Sequence, residues 1–394
     1  MTGRRRYDVV VVGARVAGAA TALHLARAGH QVLVVDRAGP PADTVSTHAI
    51  MRAGVLQLRK SGVLDAIVRA GTPAIRRVDL VFGDERVSFP VTSEHGVAAY
   101  YAPRRPVLDS ALLTAAVEAG AEFRTAVSVN DVVRDPSGRV TGVVARTPGG
   151  HQERIGAGWV VGADGTRSRI ARAVNAAVAR YHRPTNAVAY GYFAGIDAPG
   201  YEFRFVQQRN VGFIPTNDGL TLAFAGGPVS AAGRNSYRYL TGTLDQVAPD
   251  MAAAVRANEL IGRTYRTNGT ASVIRDPAGA GWALVGDASF TEDPISAHGI
   301  TDALRDAETC AHAIDTALRD PWAEPDALAT YRDRRDHFAL PLFDHAATLA
   351  EFGWDAGEAS RLLRRLGDIG DAECCFLTSG QSALPYGRVM ISST

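Results

Sequence analysis

The chain has 394 residues, 46% apolar and 21% charged, which is ordinary for a globular protein and long enough for two or three domains. Its 42 basic side chains nearly cancel 41 acidic ones, and a net charge of +1 argues against a nucleic-acid or polyanion binder, whose surface would be strongly basic. Lys60 is the only lysine, which excludes a Gly-Lys phosphate loop and argues against Schiff-base chemistry.

In chain order, residues 7–12 form a short apolar, β-branched run that stops at Gly13. This is the pattern of a strand buried on both faces of a parallel sheet. Residues 17–28 are alanine-rich and end at Gly29, a helix with a C-terminal breaker, and residues 31–35 give a second buried strand. Together they make one βαβ unit. Residues 47–70 read as mostly helical, with Leu56, Val63, Leu64 and Ile67 apolar. Residues 75–91 alternate as an antiparallel strand pair, and 108–119 return to helical periodicity. Residues 159–163 are a strand running into a glycine turn.

Strand signals dominate 187–229: Tyr190, Tyr192 and Phe193, then Phe203, Phe205 and Val206, then 211–214 and 220–224. Asn217-Asp218-Gly219 forms the turn between the last two. Residues 282–285 are a short buried strand. From Pro321 the chain is polar and arginine-rich, and 331–337 reads as a solvated helix face. The fold expected is α/β: a Rossmann-like nucleotide-binding domain (1–75, 98–180 and 273–345), an inserted antiparallel β-sheet substrate domain (76–97 and 181–272), and a C-terminal helical segment (346–394).

Three motifs end strands in this frame. Gly13-Ala14-Arg15-Val16-Ala17-Gly18 lies between the first strand and first helix. Glycine there permits a tight turn and close helix packing, and the helix N-terminus offers N–H groups to a pyrophosphate. Arg15 replaces the usual middle glycine, and its guanidinium suits a phosphate. Asp36, at the end of the second strand, is placed to accept hydrogen bonds from an adenosine ribose. Downstream, Gly162-Ala163-Asp164-Gly165 and Gly286-Asp287-Ala288 each set a carboxylate beside glycine at a strand end, where α/β sheets bind ligands.

With these motifs in this order, residues 7–345 resemble the FAD-dependent aromatic hydroxylases (the 4-hydroxybenzoate hydroxylase-like group A flavoprotein monooxygenases), whose fold geranylgeranyl reductases and flavin-dependent halogenases share. The resemblance implies that Gly13, Arg15, Val16, Ala17, Gly18, Asp36 and Arg37 hold the ADP half of FAD. It implies that Gly286 and Asp287 contact the ribityl chain and pyrophosphate, that Asp164 serves FAD and NAD(P)H, and that Arg105 and Arg52 lie near the flavin and the pyrophosphate. Gly299 and Ile300, at a helix start, complete the cofactor set. The chain departs from the family at Ala171, where an arginine is usual (Arg172 follows), at Ser296 and at Phe290. The halogenase signature Trp-x-Trp-x-Ile-Pro is missing.

The catalytic candidates are His48, after Ser46-Thr47, as a flavin donor or substrate base, and His298, beside Gly299. The competing readings are a capping Ser/Thr with an incidental histidine, and a solvated loop histidine. Tyr190, Tyr192, Phe203 and Phe213 are expected either to line an aromatic substrate pocket or simply to fill the sheet core. Arg204 and Arg209 suit an acidic substrate or an exposed strand face. Cys310, Cys374 and Cys375 have neither the number nor the spacing for disulfides or a zinc knuckle, so reduced thiols and no metal are expected. The residues 9–12 behind Arg4-Arg5-Arg6 are too short for a signal-peptide core, and no run approaches the ~20 apolar residues of a membrane span.

The function expected is therefore that of a cytoplasmic FAD-dependent monooxygenase, monomer or homodimer, with neither nucleic-acid nor membrane partner. It would use NAD(P)H and O₂ through a flavin C4a-hydroperoxide to hydroxylate a small aromatic or polyketide-like molecule. The alternative is a reductase or dehydrogenase of the geranylgeranyl reductase type, without oxygen insertion. Residues 352–394 match no interpretable motif.

Overall fold

A computed structural model describes residues 6–39, 43–46, 48–206 and 208–379. The first strand, Arg6–Val12, pairs in parallel with Val32–Val35 on one side and Gln152–Gly162 on the other. Glu122–Arg124 and Trp282–Leu284 extend the sheet in parallel at either end. Numbered along the chain, these five strands stand in the order 3-2-1-4-5, the doubly wound arrangement whose ligand crevice lies beyond the strands' C-terminal ends. The first strand is apolar from Val9 to Val12 because both its faces are covered there. Val9 and Val11 pack under the helices Val16–Arg27, Arg105–Glu118 and Gly299–Arg319. Val10 and Val12 meet the antiparallel hairpin of Ser128–Arg134 and Val140–Arg146. That hairpin escapes a simple alternation count, since its register shifts between Val129 and Asp131.

A second sheet of seven strands is antiparallel apart from one parallel pairing, Arg77–Phe82 with Tyr201–Val206. Its central strands are Asn186–Ala194, Leu220–Pro228 and Arg209–Pro215. Ala189 and Phe193 face the helices Ser236–Val247 and Pro249–Ala257, which the sequence reading did not anticipate. Val188, Tyr190 and Tyr192 face the opposite way, onto Ala49 and Ala102. Val178–His182, Ser272–Arg275 and Phe290–Thr291 form a third, three-stranded antiparallel sheet.

Within 47–70 the helix is broken into Arg52–Lys60 and Leu64–Arg69. Residues 331–337 belong to the helix Glu324–Ala350, but they are not the solvated face expected. Tyr331, Arg334 and Arg335 are buried, with Tyr331 Oη donating to Leu284 O at 2.6 Å and Arg335 donating to Ser289 Oγ at 2.6 Å. The helix Ala356–Thr378 packs against Arg52–Lys60 and Glu324–Ala350. Among the described residues no helix is long and apolar enough to cross a membrane.

Candidate functional site

The three motifs meet at the C-terminal ends of the first sheet, and missing side chains allow it. Gly13 has φ +109°, and a Cβ there would lie 2.3 Å from Ala163 O. A Cβ on Gly18 would lie 1.9 Å from Gly13 O, and one on Gly286 would lie 2.7 Å from Ala17 Cβ. The turns are tied by Gly13 N–H to Val35 O (2.8 Å), Ala163 N–H to Val12 O (2.8 Å) and Val285 N–H to Gly162 O (3.0 Å). The helix Val16–Arg27 starts after Arg15 with no side-chain cap and no acid in its first turn, which leaves a terminus suited to an anion. Arg15 itself is exposed and donates to Thr44 Oγ1 at 3.1 Å.

Asp36 is held by the N–H groups of Ala14 and Ala38, each 2.8 Å away, with the exposed Arg37 between them in sequence. Asp164 accepts from Ser168 Oγ (2.5 Å) and Arg169 N–H (2.6 Å), so it caps the short helix Arg169–Ala173. Beside that helix, Arg167, Ser168, Arg172, Asn175, Val178 and Arg275 line an open pocket of about 620 Å³. Asp287 is exposed in the crevice. Enclosure by its walls pushes the carboxyl up, while Arg105, Arg15 and Arg275 draw it down, which puts these three arginines in its field.

Arg105 is fixed by three hydrogen bonds to the buried Asp109, at 2.9, 3.1 and 3.3 Å, and Asp109 also takes the Val16 N–H. The sequence reading passed over Asp109, although its i,i+4 spacing from Arg105 marks a helix-face pair. Arg52 is not directed at the crevice residues. Its guanidinium donates to Thr92 O (2.8 Å) and Val97 O (3.1 Å) and stands 3.5 Å from Glu94, fastening the 92–97 loop.

A second group lies on the inner face of the seven-stranded sheet. His48 is buried at φ +65° and stacks on Tyr192, with Nε2 hydrogen-bonded to the Tyr192 hydroxyl and Nδ1 without a partner. Burial, then Arg105 and Arg104, pushes its imidazole down to about 3, so it is neutral. Burial raises the Tyr192 phenol, which stays protonated, and Arg104 lies over its ring at 4.7 Å. Tyr190 stacks on Tyr265 at 5.0 Å and donates to Thr44 O at 3.0 Å. Phe203 shares this side of the sheet, whereas Phe213 packs under the Ser236–Val247 helix. Phe213 is therefore separated from the other three aromatic candidates. Arg204 pairs with Glu202 and Asp250, and Arg209 with Gln246. Thr47 lies outside the described residues.

Gly299 is exposed and Ile300 half-buried at the start of the Gly299–Arg319 helix, where no side chain caps the terminus. His298 is buried behind them, so it is not a solvated loop residue. Its ring is turned towards the C-terminal helix, 3.4 Å from Glu373. Sequence reasoning missed Glu373 altogether.

A family model described as an FAD binding domain matches residues 6–346. The chain is 30% identical over 340 residues to a menaquinone reductase of Mycolicibacterium smegmatis, covering 78% of this chain and 76% of that one. Among solved structures it is similar to a flavin-dependent brominase (TM-score 0.79, 20% identity, 94% of each chain). It is also similar to a probable FAD-dependent monooxygenase from Pseudomonas aeruginosa (TM-score 0.78, 22% identity, 92% of this chain and 100% of that one).

Proposed function

The chain belongs to the FAD binding domain family of oxidoreductases, and from that premise we propose that it is an NAD(P)H-dependent monooxygenase acting on a small aromatic or polyketide-like substrate. The crevice fits FAD. Three glycines let its turns close on one another, the Arg15 side chain does not cap the first helix, and Asp36 closes the far end. The N–H groups of Arg15, Ala17 and Gly18 with the Arg15 side chain would hold the pyrophosphate, Asp36 the adenosine ribose, and Gly286 and Asp287 the ribityl chain. Gly299, Ile300 and Arg105 would meet the ring. Bound FAD supplies two-electron redox chemistry and reaction with O₂. The first sheet thus serves as the cofactor domain and the seven-stranded sheet as the substrate domain, in a cytoplasmic monomer or homodimer.

The observation that carries the substrate reading is His48: a buried, left-handed, neutral histidine with an orphaned Nδ1, bonded to Tyr192 on an aromatic sheet face. Strain and an unsatisfied buried nitrogen together mark a functional position. A neutral imidazole with a free Nδ1 can exchange a hydrogen bond with a phenolic substrate, and Tyr192 fixes the ring that does so. Arg167 and Arg172, in the pocket next to Asp164, suit the phosphates of NAD(P)H.

The test is FAD-loaded protein assayed for NAD(P)H oxidation and O₂ uptake against a panel of phenols and aromatic polyketides. Stimulation of both by one compound supports this reading. A second reading, an FAD-dependent reductase without oxygen insertion, is favoured by the 30% identity to a menaquinone reductase. Anaerobic reduction of a quinone or alkene would select it.

A further inference from the structure

Behind the Gly299 end of the long helix lies a knot of ionisable side chains that the proposed reaction does not use. Arg305 is 1% exposed and meets Asp302 at 2.7 Å, Asp306 at 2.8 Å and Glu373 at 3.0 Å. Glu373, fully buried, comes from the C-terminal helix, and its other oxygen stands 3.4 Å from His298 Nε2. Glu292 joins from the preceding loop through Ser296 Oγ, 2.6 Å away. Arg335, on the Glu324–Ala350 helix, acts on Asp306 through space, while its own hydrogen bonds go to Ser289, Asp336 and the Arg275 carbonyl.

Charge arithmetic constrains this knot. Four carboxylates (Glu292, Asp302, Asp306 and Glu373) share the Arg305 guanidinium and the titratable His298, so full ionisation would bury two uncompensated negative charges. Each would cost several kcal/mol. Protons must therefore reside in the cluster. Burial raises Glu292 and, up to about 6, Asp302, and it raises Asp306 as well. Glu373 moves the other way: burial opposes its charge, but Arg305 and His298 keep it ionised. Its imidazole partner is opposed by burial and by Arg305 and favoured by Glu373 and Asp302, and the carboxylates win.

We propose that Glu373 is a positioning residue: from the C-terminal helix it orients His298 and keeps it cationic behind the N-terminus of the Gly299–Arg319 helix, so that this last helix sets the charge presented to the group docked there. That group is the FAD ring in the function proposed above, on which the inference rests.

The test is a histidine NMR titration of the full chain, with the His298 signal assigned by H298Q. The His298 midpoint should lie above 6.5 in the wild type and below 6.5 in E373Q, with E373D restoring it. The midpoint potential of bound FAD at neutral pH should fall in both E373Q and H298Q, and H298Q should add nothing to E373Q in the double variant. A wild-type midpoint below 6.5, an unchanged midpoint in E373Q, or additive potential shifts would overturn the proposal. If E373Q fails to fold, the wild-type titration alone decides. If the wild type binds no FAD, the proposed function fails, and the titration still judges the pair.

Discussion

The rings of His48 and Tyr192 lie parallel, 4° apart in plane with centroids 5.8 Å apart, although 144 residues separate them in sequence. This pairing places a neutral imidazole on the aromatic face, and its titration has a definite sign. The folded value is about 3 against 6.5 unfolded, so between these values the unfolded chain binds the extra proton. The contribution of His48 to stability is therefore complete above 6.5 and is lost as pH falls towards 3. His48→Asn should abolish this part of the acid sensitivity. The difference between wild type and variant should change by roughly 3 kcal/mol between pH 6.5 and about pH 4, read by urea unfolding at each pH. A pH-independent difference would contradict the assignment.

Gly13→Ala must push a Cβ onto the Ala163 carbonyl from a left-handed backbone, so stability should drop by about 2–4 kcal/mol and FAD affinity should collapse. Gly165→Ala has φ +80° but open space around its Cβ, so only the backbone strain of about 1–2 kcal/mol should appear. Thermal melts with and without FAD distinguish the two.

Arg172→Ala removes a cation from the pocket beside Asp164 without touching the glycine turns. KM for NAD(P)H should rise about tenfold while FAD affinity holds, as expected for loss of one charge-assisted phosphate contact. Unchanged KM in stopped-flow flavin reduction would remove this pocket from the nicotinamide path.

Arg305→Met leaves Asp302, Asp306 and Glu373 buried without their shared guanidinium. Removing one partner from a buried ionic cluster costs about 3–5 kcal/mol, measurable by chemical denaturation. Lowering the pH to 5 should recover part of the loss, because carboxylates left without a cation take up protons.

The parts of this protein written locally were legible. The valines at 9–12, the Gly13–Gly18 turn and Asp36 lie within one βαβ unit, and their periodicity and spacing carry the crevice. What depends on pairing between distant segments was not. Phe213 and Phe203 look equivalent in sequence, yet Phe213 sits opposite Glu202 across the strand pair, while Phe203 sits opposite Gly212, so the two rings project from opposite faces. Arg335 looks like a solvated charge until Ser289 and the Arg275 carbonyl, folded from other elements, satisfy it. Glu373 carries no local mark at all; only the packing of the C-terminal helix brings it to His298.

The central claim is tested most directly by supplying ¹⁸O₂ to the FAD-loaded enzyme with NAD(P)H and a compound that stimulates O₂ uptake, then weighing the product. The account predicts one ¹⁸O atom per product molecule and no product under anaerobic conditions. A product formed without the label, or formed equally well without oxygen, would contradict it.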